Sequence, residues 1–325
     1  MAVFRGMYLV VVMAVAAALP MSVTWAQTAF PVKPVRIVVP FSVGAQPDSV
    51  ARIIGPKLAE AWKQPVVVEN RPGASGTIGF AMVAKAAPDG YTLMLTSAAF
   101  TASAATQPAL TYDPRHDFAG VAQLGVNTQV LVAPPALGVK SVDDLVALAK
   151  AKPGQLVWAT PGANSGPFLV GERFKLDTGI RIIHVAFKGG PEIIVELLAG
   201  RSHYSFTSLG SAMPFIKDGR LRALAVAMPQ RAPLLPDVPT VSETLPGFHR
   251  VLGSYGVLAP AKTPRVIVNQ IGNEIVRLVN TPDIREQLQN IGLMTAPIAG
   301  ADYHKVLLDQ IDALSSLVRG IGMRK

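Results

Sequence analysis

The stretch K-P-V-R-I-V-V-P-F-S-V-G-A-Q-P-D, Lys33 to Asp48, sets the architecture. Val35 to Val39 is a β-branched run broken only by Arg36. Such near-continuous apolar runs suit strands covered on both faces of a parallel sheet. Gly44 permits a tight loop after the strand, Pro47 suits a helix start, and Asp48 complements the positive end of a helix dipole. The N–H groups of this loop are placed to cradle an anion. Beyond it, Val50, Ile53, Ile54, Leu58, Ala61 and Trp62 share one helical face, with Pro56 expected to kink the helix.

The same strand-then-helix pattern recurs outward from this unit. Val66–Glu69, Tyr91–Thr96, Val130–Ala133, Leu156–Thr160, Ile182–Val185, Tyr204–Thr207, Ala223–Ala227 and Gly256–Ala259 read as further strands. Ser141 and Asp144 form a capping-box-like start for a helix carrying Leu145 and Leu148. Thr281-Pro282 opens another, with proline in its first turn. Alternation at this spacing predicts an α/β fold with parallel sheets.

A length of 325 residues is long for one core and suits two lobes of roughly 150 residues each. No internal sequence repeat is visible. One natural division has the chain leave the first lobe near Gly125–Val132 and return near Val251–Gly256, so that the second lobe is an insertion and two strands act as hinges. Half of the chain is apolar and only 16% is charged, which argues against disorder and coiled coil. The net charge is +9, yet Lys and Arg form no run of four and few aromatics flank them. This disfavours a nucleic-acid surface and leaves a general attraction for small anions. The absence of cysteine removes disulfides, thiolate metal sites, a cysteine nucleophile and a lipidated N-terminal cysteine.

The N-terminus carries the three-part pattern of a secretory signal. Arg5 is the only charge before Lys33, Met7 to Leu19 is apolar, and Thr24-Trp25-Ala26 offers small residues to a signal peptidase. Cleavage is expected after Ala26, with Ala29 as the alternative. The apolar run falls short of the about 20 residues that span a membrane. Loss of Arg5 lowers the charge from +9 to +8. The mature chain is expected in the periplasm.

Three turns suit close backbone approach to a ligand at the carboxyl ends of strands. The first is Pro40 to Asp48. The second, T-P-G-A-N-S-G-P from Thr160 to Pro167, offers Thr160, Asn164 and Ser165 as side-chain donors. The two turns facing each other would grip a ligand with two acidic ends. The third is Ser97 to Phe100, where Ser97 can donate and Phe100 can wall a pocket or simply pack. G-A-S-G-T-I-G, Gly73 to Gly79, lacks dinucleotide-binding spacing, and no G-K-[ST] motif occurs. There is no G-x-S-x-G elbow. His116, His184, His203, His249 and His304 show no metal-binding spacing, and His184 in its apolar strand reads as a core residue. The motifs therefore support a binding protein over an enzyme.

Read together, these segments resemble the solute-binding proteins of tripartite tricarboxylate transporters, the Bug-type extracytoplasmic receptors. The resemblance rests on K-P-V-R-I-V-V-P-F (33–41), Q-P-V-V-V-E-N-R-P-G-A-S-G-T-I-G (64–79), A-A-P-D-G-Y-T-L (86–93), Y-D-P-R-H-D-F (112–118) and A-K-P-G-Q-L (151–156). It continues through H-V-A-F-K-G-G (184–190), G-R-L-R-A-L-A-V (219–226), L-P-D-V-P-T-V-S-E (235–243) and Y-G-V-L-A-P-A-K-T-P (255–264). The resemblance implies a two-lobed Venus-flytrap fold of periplasmic-binding-protein type II with two hinge strands. Residues 1–26 would be the signal peptide, 27–127 and 251–325 lobe 1, and 128–250 lobe 2.

The resemblance also implies capture of a small organic carboxylate between the lobes, without a cofactor or metal. Ser42, Val43, Gly44, Ala45 and Gln46 would meet one carboxylate. Thr160, Gly162, Ala163, Asn164, Ser165 and Gly166 would face them, with Ser97, Thr207 and Ser208 lining the cleft. The expected partners are membrane permease subunits, or alternatively a sensor kinase, for a monomeric receptor that touches no nucleic acid. Several positions depart from the family pattern: Ala45 replaces a glycine, Phe168 a histidine and Phe187 a tyrosine. Pro191 is shifted by one place, and Ser254 stands for an aromatic. These changes imply a reshaped first loop and a ligand less polar than citrate, with neutral drift around a water-lined pocket as the alternative.

Overall fold

The structure, a computed structural model, describes residues 30–107, 109–162, 165–187, 189–248 and 253–320. The chain divides into two units, Met1–Val32 and Lys33–Lys325, and the description below concerns the second. The expected signal segment and His249 lie outside the described residues.

The opening stretch folds as its pattern requires. Strand β1 (Val35–Val39) leads through the Gly44 loop into helix α1 (Gln46–Trp62). Val50, Ile54 and Leu58 are buried on one face of α1, while Ala61 is exposed. The helix continues through Pro56, which is itself exposed, so the carbonyl four residues earlier can turn to solvent. Beyond α1 come β2 (Val66–Asn70), α2 (Thr77–Ala84), β3 (Thr92–Thr96) and α3 (Ala98–Thr106). β2 and β3 flank β1 in parallel, with Val35 opposite Val66 and Ile37 opposite Leu93.

Two strands that the sequence pattern did not reveal complete this sheet: β4 (Phe118–Asn127) and β11 (Leu293–Ala299). With β10 (Ser254–Pro260) they give the six-stranded order β11-β4-β10-β3-β1-β2. All pairings of β4, β10 and β11 here are antiparallel, so the expectation of wholly parallel sheets is corrected: this sheet is mixed. The physical reason lies in connectivity. The chain leaves the sheet after Asn127 and returns at Ser254 by a long excursion, which frees the returning strand from the parallel crossover rule.

That excursion builds the second set of strands. β5 (Gln129–Ala133) is central and antiparallel to both β8 (Ser205–Ser208) and β9 (Arg222–Val226). β6 (Val157–Thr160) and β7 (Ile183–Ala186) pair in parallel, and a single bridge from Trp158 to Tyr204 joins β6 to β8. Helices α4 (Val142–Ala151), α5 (Gly166–Thr178), α6 (Gly190–Leu198) and α7 (Leu209–Lys217) intervene, and the short α8 (Val241–Thr244) precedes the return. Ser141 caps α4 by accepting from Asp144 N, and the Asp144 carboxylate accepts from Lys140 N, one residue ahead of the cap.

Burial follows strand periodicity. Along β5, Leu131 enters a core with Trp158, Phe174, Tyr204 and Phe206. Its neighbours Val130 and Val132 face the opposite core with Ile193, Leu197, Leu209 and Val226. Each such fully buried side chain contributes about 1.5–3 kcal/mol. Helices α9 (Arg265–Val279), α10 (Pro282–Asn290) and α11 (Gly300–Gly320) close the chain. α11 runs across both sets of strands. Tyr303, Leu307 and Ile311 pack with Phe80, Phe100 and Phe118 under the six-stranded sheet. Leu314 and Val318 enter the Trp158 core.

Candidate functional site

The carboxyl ends of β1, β4, β6 and β8 open onto one cleft of about 470 Å³. Its walls come from both sets of strands. Gly44, Gln46 and Ser49 supply the α1 side and Asn127 the end of β4. Pro161 and Pro167 come from the turn between β6 and α5, and Gly190 from the start of α6. Thr207, Ser208, Gly210 and Ser211 supply the turn from β8 into α7, and Asn290 and Ile291 the end of α10. None of the described residues that line it carries a charge. What the cleft offers is amides, hydroxyls and the starts of four helices, α1, α5, α6 and α7. Helix starts bring unpaired N–H groups and partial positive charge.

The first loop is held from behind. The buried Asp48 carboxylate accepts from Gly44 N at 2.9 Å, from Arg52 Nε at 3.0 Å and from Asn70 Nδ2 at 2.9 Å. Asn70 Nδ2 also donates to Phe41 O. Burial alone would raise the Asp48 pKa, but hydrogen bonds from Arg52, Gly44 and Asn70 prevail and lower it. Asp48 thus supports the loop, and Gly44 N is already occupied. Ala45 N donates to Ser42 O, leaving Gln46 N and Asp48 N as the outward donors of the first turn of α1. Gly44 takes φ +80° with open space around it, whereas Ala45 sits at φ −67° and ψ 155°. Alanine is therefore unstrained, and the expectation of a reshaped loop is corrected: the left-handed turn falls on Gly44 alone.

Gln46 lines the cleft with its side chain clamped at both ends. Its Nε2 donates to Ile291 O at 2.6 Å, and its Oε1 accepts from the Tyr255 hydroxyl at 2.9 Å. Ser42, Val43 and Ala45 belong to the loop but lie outside the cleft lining, and Val43 is exposed.

The second turn is also largely engaged in its own structure. Thr160 is buried, its hydroxyl 2.7 Å from His184 Nε2, and it accepts from Gly162 N. Ser165 donates to Gly162 O and caps α5 by accepting from Phe168 N. Gly162 has φ +108°, and Gly166 lies against the Gln129 amide. None of these four lines the cleft; the neighbouring prolines do. Ala163 and Asn164 lie outside the described residues. Ser97 is buried as the cap of α3 and accepts from Ala99 N. Thr207 and Ser208 line the cleft as expected, and Ser208 Oγ donates to Asn127 Oδ1 at 3.3 Å.

The positions that depart from the family pattern lie outside the cleft lining. Phe168 is buried and stacks on Trp158 at 5.6 Å. Phe187 packs on the apolar core around Ile193, and Ser254 is buried against Gln310. Pro191 follows Gly190 in the first turn of α6. None of them is among the described residues lining the cleft, whose walls mix amides and hydroxyls with the apolar Pro161, Pro167 and Ile291. His184 lies between Trp158 and Phe168 at 5.0 Å from each, and burial lowers its pKa. It is a packed residue, as its strand suggested. Gly73 to Gly76 all have positive φ and turn the chain into α2, with Gly79 pressed against Pro40. Among the described residues no cluster of three metal-ligating side chains occurs, and no helix is long and apolar enough to cross a membrane.

Sequence reasoning missed Ser49, Asn127, Gly190, Ser211 and Asn290. Asn127 ends a strand that the pattern concealed. Gly190 and Ser211 each lie just inside a helix start, a position the strand-end argument could have reached.

The family model described as the tripartite tricarboxylate transporter family receptor matches residues 50–323. Protein BugT of Bordetella pertussis is 33% identical over 300 residues, covering 91% of both chains. Among solved structures, R. palustris Rpa4515 with adipate superposes with a TM-score of 0.80 at 30% identity, covering 90% of this chain and 98% of that one. MatC from Rhodopseudomonas palustris with bound malate gives 0.74 at 30% identity, covering 89% and 100%. The fold, with its two sets of strands around one cleft, is that of a periplasmic binding protein: the periplasmic binding protein BugD superposes with a TM-score of 0.77 at 26% identity, covering 91% of this chain and 100% of that one. The chain belongs to the tripartite tricarboxylate transporter family of receptors, the Bug-type solute-binding proteins.

Proposed function

We propose that this receptor captures a small organic carboxylate in the cleft and delivers it to the membrane subunits of a tripartite tricarboxylate-type transporter. The observation that carries the ligand class is the convergence of four helix starts on a cleft whose described lining residues carry no charge. Neutral N–H donors and helix dipoles favour an anion without demanding a counter-ion. The adipate and malate held by two relatives of the same fold support the reading.

Lobe 1 comprises 27–127 and 251–325 and lobe 2 comprises 128–250 in this reading, with cleavage of the leader after Ala26. The ligand bridges both lobes only when they close, so binding shifts the population toward the closed form. Closure presents a new surface to the permease. Of the expected binding residues, Gln46 through its main-chain N–H, Thr207 and Ser208 act directly, joined by Ser49, Asn127, Gly190 and Ser211, while Gly44, its own N–H held by Asp48, shapes the first loop. Thr160, Ser165 and Ser97 shape the turns.

A thermal-shift screen of residues 27–325, refolded to strip bound ligand, tests the ligand class. The panel holds dicarboxylates, citrate, aromatic acids, acidic amino acids and neutral controls. A ligand at 100 times its dissociation constant stabilises by about 2.7 kcal/mol, a shift of several degrees. Stabilisation confined to acids supports the reading. A panel in which no acid shifts melting, or in which neutral controls do so equally, overturns it.

A further inference from the structure

A second pocket lies at the opposite end of β4. Asn127 ends that strand in the cleft, while Phe118, Ala119 and Gly120 begin it in a separate cavity of about 500 Å³. Ten residues of strand place the two about 30 Å apart. The cavity has an apolar floor made by Phe118, Ala119, Ala261 and Val268. Its rim carries Arg115, His116, Arg265 and His304, and no carboxylate is among its lining residues.

The charges around this rim are unevenly matched. Arg115 pairs with Asp312 on α11, and His116 pairs with Asp113 at 2.8 Å. Arg265 forms no ion pair among the described residues. It stands at the first position of α9, and Ala301 and His304 lie in the first turns of α11, so two helix starts open on the same cavity. His304 is held there by packing: a side chain at Gly120 would come within 2.7 Å of His304 N, so glycine lets α11 lie directly on β4. His304 Nδ1 is sealed from solvent and has no hydrogen-bond partner.

We propose that this second pocket binds the anionic head of a small organic acid bearing an apolar body, independently of the cleft. Arg265 and the two helix starts hold the carboxylate, and the Phe118–Val268 floor receives the hydrocarbon. The inference does not depend on which ligand the cleft takes.

Hexanoate is the probe, with hexanamide as its neutral counterpart. Both are titrated calorimetrically into the Ser211→Trp chain, in which the cleft is filled. Saturable hexanoate binding, absence of hexanamide binding, and at least a tenfold loss on adding Arg265→Glu are expected. Glutamate suits the first turn of a helix, and Arg265→Ala serves as a second variant whose folding is checked by its melting curve. The proposal fails if hexanoate does not bind the Ser211→Trp chain, if hexanamide binds equally, or if both folded Arg265 variants retain full affinity. A failure of the acid panel in the intact cleft leaves this experiment unaffected, so the two readings stand or fall separately.

Discussion

The Tyr255 hydroxyl donates to Gln46 Oε1 at 2.9 Å across 209 residues of sequence. Tyr255 lies in the returning strand β10, and Gln46 opens α1, whose Nε2 reaches on to Ile291 O at the end of α10. One side chain therefore ties a hinge strand, a cleft wall and a helix end together. Its amide is a strut first and a ligand contact second. Tyr255→Phe removes one bond and should lower stability by about 0.5–1.5 kcal/mol, read by urea unfolding. Gln46→Ala removes both bonds and should cost more, and it should also weaken ligand binding, because the wall at Ile291 is released.

Asp48 makes the first loop sensitive to acid. Burial pulls its pKa up, but the bonds from Arg52, Gly44 and Asn70 outweigh it, so the folded carboxyl titrates below its unfolded value of about 3.9. A depressed folded pKa contributes stability that is fully present above the unfolded value and lost as pH falls through the folded one. Asp48→Asn should therefore destabilise by about 1–3 kcal/mol at pH 7, and the gap from the natural chain should narrow below about pH 4. Urea midpoints at pH 7 and pH 3.5 measure it. An undiminished gap at the lower pH would assign the effect to shape and not to charge.

What the sequence made legible, and what it concealed, follows from where the constraints originate. β1 and its loop were readable because an unbroken β-branched run, Gly44 and Pro47 are local signals. β4 was not, because tertiary contacts dictate its composition. Gly120 makes room for His304, Gly125 abuts Met294 on β11, and the buried Gln123 donates to Ala296 O. Each interrupts the apolar pattern for a reason visible only once α11 and β11 are in place. β11 was hidden by Pro297, which sits where its register with β4 shifts between Thr295 and Ile298. The cleft shows the same split. Gly44, Thr207 and Ser208 follow recognisable strands, whereas Asn290 and Ile291 reach the cleft from the end of α10, whose proximity depends on the long-range order of the sheet.

Gly210 and Gly292 meet where the start of α7 abuts the turn between α10 and β11. A Cβ on Gly210 would lie 2.8 Å from Ile291 O, and one on Gly292 would lie 2.7 Å from Gly210 N. Gly210 and Ile291 both line the cleft, so this contact joins two of its walls. Gly210→Ala should force the two apart, at a strain of about 1–3 kcal/mol. Ligand affinity should fall about tenfold while the fold persists. Small-angle scattering should then show less compaction on ligand addition than in the natural chain. Unchanged affinity would remove this contact from the proposed closure.

Asn127 provides the most direct test of the charge logic of the cleft. Its Oδ1 already accepts from Ser208 Oγ, so Asn127→Asp keeps the shape and that bond while adding one negative charge to a wall whose described residues carry none. Two carboxylates about 6 Å apart at an effective dielectric of 20 repel by about 3 kcal/mol, equivalent to roughly a hundredfold in affinity. The loss should be partly recovered as pH falls toward the carboxyl range, where the introduced carboxylate protonates. A neutral ligand would not respond in this way, since helix starts and hydroxyls remain in place. Calorimetric titration of the best acid from the panel at pH 7 and pH 5 reads both effects. An acid that binds Asn127→Asp as tightly as the natural chain would have to bind away from these helix starts, and the proposed ligand site would be wrong.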